Sequence, residues 1–485
     1  MLKTSAWKKG LAWVCAGAFV VSLAAATACA PTATSEPTEA EEAGDAAQTV
    51  TYETPEPDEY GVVTAEQWKD IYPNQYATYV KNKENQPVDY AEENGPTEDT
   101  TTIADEGYDA AEAEANAAEK VSYLDTNPEI KILGLGYGYA KYYTEPAGHV
   151  YSLWTVTHNG RISEKSGAGC WACKTPQFSN YVDENGNEVF KEKFLSMDGW
   201  FTEGISCASC HANDPTGFEI DRAQWKDAMG ADVDTVPMES VVCGQCHCDY
   251  SMAPETGIPT SPYTGGLESM SPENALKFYD DNNFVDWTYE STGAQMLAIR
   301  HAEFEFNYAN GGSPMINMIN QATGENYTCN DCHMGKATAE DGTEYTNHQW
   351  TVPTENEELI AENCSMCHKD LAGEIKAIQD EIMASEHEVG LRACLFIFNF
   401  EDAIEAGTLT DDQIAELQYI QRAACYYWNL EAAENSEGAH NPDFSRELIA
   451  SANEWLDKGD EILGVSSVVD DVAAAEQTVM EHTAA

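Results

Sequence analysis

Cys170-Trp171-Ala172-Cys173-Lys174 opens a series of five CxxC units. The others are Cys207-Ala208-Ser209-Cys210-His211, Cys243-Gly244-Gln245-Cys246-His247, Cys329-Asn330-Asp331-Cys332-His333 and Cys364-Ser365-Met366-Cys367-His368. They hold ten of the chain's 15 cysteines, and four of the five run straight into histidine. Two thiols on one turn reach the two vinyl groups of a single porphyrin, and an imidazole one residue on lies beneath its iron; CxxCH is the haem c attachment signature. Zinc ribbons pair CxxC units with no required histidine after the second cysteine. Redox dithiols occur once per βαβ unit, not five times. The spacing therefore predicts five covalent haems c, with His211, His247, His333 and His368 as proximal ligands. Lys174 takes the place of imidazole at the first unit. An unusual axial ligand changes what an iron can bind, so that unit is the expected reaction centre.

The stretches between these units are irregular and rich in Gly, Asn and Pro, unsuited to long strands. The C-terminal third carries helical spacing. Thr410 with Gln413 reads as a capping box, and Ile414, Leu417, Gln421, Ala424 and Trp428 fall on one face at helical period. Residues 355–386 and 446–463 also read as helices. The expected fold is mainly α, a multihaem cytochrome c with five packed haems replacing much of the apolar core and long C-terminal helices.

The 485 residues include 84 acids and 25 Lys or Arg, a formal charge of −59. Such a chain repels a phosphate backbone and an anionic membrane surface, which argues against nucleic acid as a partner. Residues 1–28 read as an export signal: Lys3, Lys8 and Lys9 precede an apolar run from Leu11 to Ala26. Ala26-Thr27-Ala28-Cys29 resembles a lipobox, so Cys29 is a candidate lipid anchor. Residues 29–60, rich in Thr, Pro, Glu and Ala, read as a flexible acidic tether. The catalytic domain is expected over 61–485, with an acidic insertion at about 91–120. Export agrees with the haem reading, since haem c is attached outside the cytoplasmic membrane; the expected location is periplasmic or on the outer face of that membrane.

Five units, the first ending in Lys, resemble the ammonia-forming pentahaem cytochrome c nitrite reductases. The resemblance extends through Ala65-Glu66-Gln67-Trp68, Tyr72-Pro73-Asn74-Gln75-Tyr76, the stretch from Leu124-Asp125 to Tyr143, and Asn435-Ser436-Glu437-Gly438-Ala439-His440-Asn441-Pro442, covering residues 64–465. It implies reduction of nitrite to ammonium at the Lys174-ligated haem. Arg161, twelve residues after His149, matches the family's catalytic arginine; Tyr250, after His247-Cys248-Asp249, its tyrosine; and His301 its histidine. An anionic substrate in an acidic protein needs local positive charge and donors, which Arg161 and His301 supply, while Tyr250 and His301 are placed to handle protons. The resemblance also implies distal ligands His149, His348 and His440 for the third, second and fourth haems. A homodimer through the C-terminal helices and a membrane quinol-dehydrogenase cytochrome as electron donor are likewise implied. Other activities stay open: reduction of hydroxylamine, sulfite or another small oxyanion at the same iron, or electron transfer alone.

Two departures from the family stand out. It places a histidine shortly before the fourth unit as distal ligand of the fifth haem, where this chain reads Asn310-Gly311-Gly312-Ser313-Pro314-Met315-Ile316-Asn317-Met318. Met315 or Met318 is the expected replacement, and a thioether raises reduction potential. The family also holds calcium with an acid, two backbone oxygens and a glutamine. Here the acid is Asp249, but Ala298 and Arg300 stand at the lysine and glutamine positions. A guanidinium cannot ligate a cation, so calcium is expected to be absent, with Arg300 in its place paired to Asp249. Cys248, Cys394 and Cys425 read as buried thiols, with a Cys394–Cys425 disulfide left open. His158, His387 and His482 read as solvent-facing.

Overall fold

The computed structural model describes residues 52–85, 87, 123–140, 147–158, 161–320 and 323–483. The export signal, Cys29 and the insertion at 91–120 lie outside the described residues, as do Tyr143 and residues 29–51 of the tether. Residues 52–60 pack on the domain: Tyr52 meets Trp68 edge-on at 5.5 Å, and Asp58 accepts a 2.6 Å hydrogen bond from Gln177. Residues 52–60 are thus part of the packed structure although composition reads them as tether, because aromatic and hydrogen-bonding partners elsewhere in the chain hold a segment that has no apolar period of its own.

The helices that position the site are α1 (Pro73–Val80), α2 (Glu129–Leu133), α3 (Pro176–Asn185), α4 (Met238–Gly244), α5 (Glu303–Tyr308), α6 (Leu371–Glu405), α7 (Asp411–Ala432), α8 (Pro442–Leu463) and α9 (Val472–Thr483). Strand is confined, among the described residues, to three two-stranded antiparallel ribbons: Ser251–Met252 with Pro259–Thr260, Trp287–Thr288 with Gln295–Met296, and Lys336–Thr338 with Glu344–Thr346. The fold is mainly α. Among the described residues no helix is long and apolar enough to cross a membrane.

The C-terminal helices form the frame. At 35 residues α6 is roughly 50 Å long. Thr410 and Gln413 close a reciprocal capping box at the start of α7. The stripe below it is buried, with Leu417 and Gln421 fully enclosed and Trp428 nearly so. Each large apolar side chain enclosed this way contributes about 1.5–3 kcal/mol of transfer free energy. Gly459 of α8 lets the helices approach: a Cβ there would lie 2.3 Å from Phe396 of α6. The helix expected over 355–386 is instead interrupted. A short helical turn from Glu357 widens into a π-turn at Ile360–Cys364, the fifth unit follows, and α6 starts afresh at Leu371 with Asp370 as its cap. The unit imposes its own turn on an otherwise helical pattern. By contrast, α8 begins at Pro442, four residues ahead of the expected start, capped by the Asn441 side chain.

A second apolar cluster, including Trp171, Phe178, Phe194 and Phe201, packs around the first unit. Trp171 stacks on Phe194 at 4.1 Å, which fixes the turn that presents Cys170, Cys173 and Lys174. Cys394 and Cys425 are both buried free thiols.

Candidate active site

The five units form a connected row. The Cys173 and Cys246 thiols are close neighbours, as are those of Cys243 and Cys329. Cys364 acts electrostatically on Cys332, and Cys210 on Cys243. The order is thus first, third, fourth, fifth, with the second beside the third.

Three histidine pairs face each other along this row. Ring centroids are 6.1 Å apart for His149 and His247, 6.4 Å for His211 and His348, and 6.0 Å for His333 and His440. Two imidazoles bound on opposite sides of one first-row metal, each nitrogen at about 2 Å, put their centroids roughly 6 Å apart. Of the seven candidate ligand histidines, these six and His368, six meet an acceptor on the Nδ1 edge. His211 meets the Gly217 carbonyl at 2.6 Å, His333 that of Thr351 at 3.1 Å and His348 that of Thr346 at 2.8 Å. His368 pairs with Glu374, His440 with Glu434, and His247 with Glu303 at 3.4 Å. An imidazole held by Nδ1 offers Nε2 to a metal in a set orientation, the usual arrangement around ligating histidines. The residues present therefore fit covalent haem. Asn82, nearly fully buried, aligns two of them: its amide donates to the His348 carbonyl at 2.8 Å, and its own oxygen accepts from Trp350. Trp350 packs edge-on to His149 at 4.8 Å.

The fifth unit is less complete. Met315 and Met318 are 40 % and 46 % exposed on a turn whose Met318 carbonyl accepts from Tyr327. Tyr327 borders the thiols of Cys332, Cys364 and Cys367. No hydrogen bond or ring contact joins either thioether to His368 among the described residues.

Around the first unit the structure gathers the predicted polar groups. Arg300, Arg161 and Lys174 act on the Cys170 thiol, and Lys174 and His301 on that of Cys173. Among the described residues the Lys174 amine makes no hydrogen bond or ion pair, in a chain with more than three acids for each base. Burial pushes the Tyr250 phenol well above its ordinary value, with the neighbouring Cys173 thiol adding to the shift, so it stays protonated. The Asn435 amide lies 3.2 Å from His301 Nδ1, and Glu303 lies between His247 and His301, 3.6 Å from the latter. Asn435 also donates to Glu303. The sequence did not single out Glu303 or Asn435, although Glu303 sits two residues after His301 on the first turn of α5.

Arg300 departs from expectation in its partner. The guanidinium pairs with Asp286 at 2.9 Å and donates to the Tyr250 and Ala298 carbonyls at 3.0 and 2.9 Å and to the Ser251 hydroxyl at 3.2 Å. It does not pair with the Asp249 carboxylate, which accepts from the Tyr279 hydroxyl at 2.8 Å. Burial pushes Asp249 up to about 6, opposed by that hydrogen bond and by the Arg300 charge. Of the three histidines expected at the surface, His482 is exposed, while His158 and His387 are partly buried. His158 stacks on Trp154 at 4.2 Å, His482 stacks on Phe398 at 3.6 Å, and His387 lies between Glu129 and Glu476, 2.9 Å from each. The partners of His387 and His482 lie on other helices far along the chain, where spacing in the sequence does not reveal them.

A row of CxxC(H/K) units on a helical frame, with facing imidazoles, defines a multihaem c-type cytochrome. Residues 64–483 match the cytochrome c552 family model, and the chain belongs to that family of pentahaem nitrite reductases. It is 28 % identical over 435 residues to the cytochrome c nitrite reductase subunit NrfA of Nitratidesulfovibrio vulgaris, covering 81 % of this chain and 76 % of that one. It is 27 % identical over 375 residues to cytochrome c-552 of Haemophilus ducreyi, covering 71 % and 70 %. Its fold is similar to that of the catalytic subunit of the Desulfovibrio desulfuricans cytochrome c nitrite reductase, a protein described with two calcium sites. The TM-score is 0.66 at 22 % identity, covering 87 % of this chain and 90 % of that one.

Proposed function

We propose that this cytochrome reduces nitrite to ammonium at the first unit, NO2⁻ taking up six electrons and eight protons to give NH4⁺ and two waters. The observation that carries the reading is the convergence of Arg161, Lys174, His301 and a protonated Tyr250 on Cys170 and Cys173. A strongly acidic chain has here gathered cations and donors at one point. Five haems c, held by the ten unit cysteines and by Lys174, His211, His247, His333 and His368, would supply electrons and one open coordination position for the anion. His149, His348 and His440 would complete the third, second and fourth, and Met315 the fifth.

The residues of the chain bind, orient and protonate. Arg161 offers its guanidinium fork to the nitrite oxygens. His301, oriented by Asn435 and Glu303 on its Nδ1 edge, presents Nε2 as a donor to the departing oxygen. Tyr250, kept neutral by burial, donates from its hydroxyl as N–O bonds lengthen. Lys174 leaves its side of the site free of a carboxylate partner. Arg300 takes the role a divalent cation would have, tying the backbone of Tyr250 and Ala298 to Asp286 without metal. Export, anchorage through Cys29, a homodimer through the long helices and a quinol-dehydrogenase partner complete the proposed setting.

The test is ammonium yield per electron with nitrite, hydroxylamine and sulfite as acceptors, for the wild type and Lys174→His. Six electrons per ammonium from nitrite, largely lost in the variant at unchanged haem content, is the expected result. No turnover of any of the three by fully haem-loaded wild type would leave electron transfer alone.

A further inference from the structure

We infer that the turn Gly138-Tyr139-Ala140 forms a wall of the anion pocket, and that Gly138 and Tyr139 are positioning residues for Arg161. The inference rests on the nitrite-binding role assigned to Arg161. The Arg161 guanidinium carbon lies 4.2 Å above the centre of the Tyr139 ring. At Gly138 a Cβ would stand 2.5 Å from Arg161 Cγ, and 3.1 and 3.2 Å from its Cβ and Cδ. No real side chain tolerates that approach, so the arginine stem runs over bare backbone while its charged end rests on the next residue's ring. One residue holds the stem and its neighbour the head.

The ring is itself braced. Tyr139 lies 5.2 Å from Tyr137, which stacks on Trp287 at 5.0 Å with only 17° between the planes. Trp287 adjoins Asp286, the partner of Arg300, and the Arg300 guanidinium carbon is 5.4 Å from the centre of the Tyr250 ring. One aromatic column thus runs from the strand that anchors Arg300 to the guanidinium that would meet the anion.

Five holoenzyme variants test this: Tyr139→Leu, Tyr139→Phe, Gly138→Ala, Arg161→Ala, and Tyr139→Leu combined with Arg161→Ala. Nitrite is titrated spectroscopically into the oxidised protein, and turnover is measured alongside. Tyr139→Leu and Gly138→Ala are expected to weaken nitrite binding about tenfold and raise KM more than they lower kcat. Tyr139→Phe, which keeps the ring, recovers most of the affinity lost in Tyr139→Leu. In the Arg161→Ala background Tyr139→Leu has no further effect, which a merely structural role would not produce. Wild-type affinity in Tyr139→Leu, a Tyr139→Phe loss as large as that of Leu, or full additivity with Arg161→Ala overturns the inference. Failure of the nitrite reading shows separately, as wild-type protein that neither binds nor reduces nitrite. In that case diffraction from Tyr139→Leu holoenzyme still decides, since the inference requires the Arg161 guanidinium to leave its wild-type place.

Discussion

Arg300 collects four oxygen acceptors with one planar group: the Tyr250 and Ala298 carbonyls, the Ser251 hydroxyl and the Asp286 carboxylate. Such a set of hard oxygens is also what a calcium ion takes. Both members of the ion pair are about nine-tenths buried, so removing the cation strands Asp286. Arg300→Gln is expected to cost about 3–5 kcal/mol of stability. Its nitrite turnover should fall at least about tenfold, as the Tyr250 backbone loosens, and partly return with millimolar calcium. Wild-type turnover should ignore a chelator. Thermal melts and rates with and without calcium read both effects, and a chelator-sensitive wild type would count against the guanidinium's role. The sequence showed that a guanidinium stands where a metal ligand is expected. It did not show the partner, because Asp286 lies fourteen residues upstream beside a two-residue strand with no pattern to place it, while Asp249 is taken by Tyr279. Arg161, Tyr250 and His301 were legible only through the family resemblance, and Lys174 through its place after the first cysteine pair; Tyr139, Glu303 and Asn435 were not, since only the folded backbone brings them to Arg161 and His301.

Among the helices, His387 on α6 clamps two others, meeting Glu129 of α2 and Glu476 of α9. Hydrogen bonding to Glu129 is the largest cause that pushes this imidazole up to about 9, and the two carboxylates outweigh its partial burial. The folded value lies above the unfolded one, so the clamp stabilises fully below about pH 6.5 and is lost as pH rises through 9. Burial pushes the adjacent Glu386 up to about 8, with Glu129 adding to the shift, and its contribution has the same sign: stability falls as pH rises. The wild type should therefore exceed His387→Gln by about 2 kcal/mol near pH 6, an advantage that fades by pH 10. Amide exchange in α9 should quicken over the same interval in the wild type alone; a difference independent of pH would show that His387 acts by packing rather than charge. Element boundaries were legible where a cap and an apolar stripe coincide, as at Thr410 and Gln413. They were lost at the fifth unit, where the turn that serves Cys364, Cys367 and His368 overrides helical period. The clamp could not be read at all, because its partners lie 258 and 89 positions away.

For the molecule as a whole, the net charge of −59 sets a long-range field that opposes an anionic substrate, while Arg161, Lys174 and Arg300 act only near the first unit. The Debye length shrinks from about 30 Å at 0.01 M salt to about 8 Å at 0.15 M. Added salt therefore screens the distant acids more than the neighbouring cations. The kcat/KM for nitrite is expected to rise with ionic strength over this range, by about two- to fivefold, with kcat little changed; a fall would mean that the local cations govern approach as well as binding.

The order of the cysteine units makes a sharper demand on the molecule. The third unit touches the first through Cys246 and the fourth through Cys243, and it has the second, through Cys210, as a neighbour; the fifth reaches the row only by way of the fourth. On the proposed reading, electrons arriving at any other unit would pass the third to reach Lys174. Replacing Cys364 and Cys367 with alanine removes an end of the row. Replacing Cys243 and Cys246 removes its crossing point and leaves the first unit's own residues in place. With haem content checked by absorbance and fold by circular dichroism, the Cys364→Ala, Cys367→Ala protein should still let nitrite reoxidise its remaining haems. The Cys243→Ala, Cys246→Ala protein should reoxidise only the haem of the first unit promptly, the rest lagging far behind. Equal reoxidation in the two variants would mean that a second route bypasses the third unit, and the contacts Cys173–Cys246 and Cys243–Cys329 would then be packing rather than path.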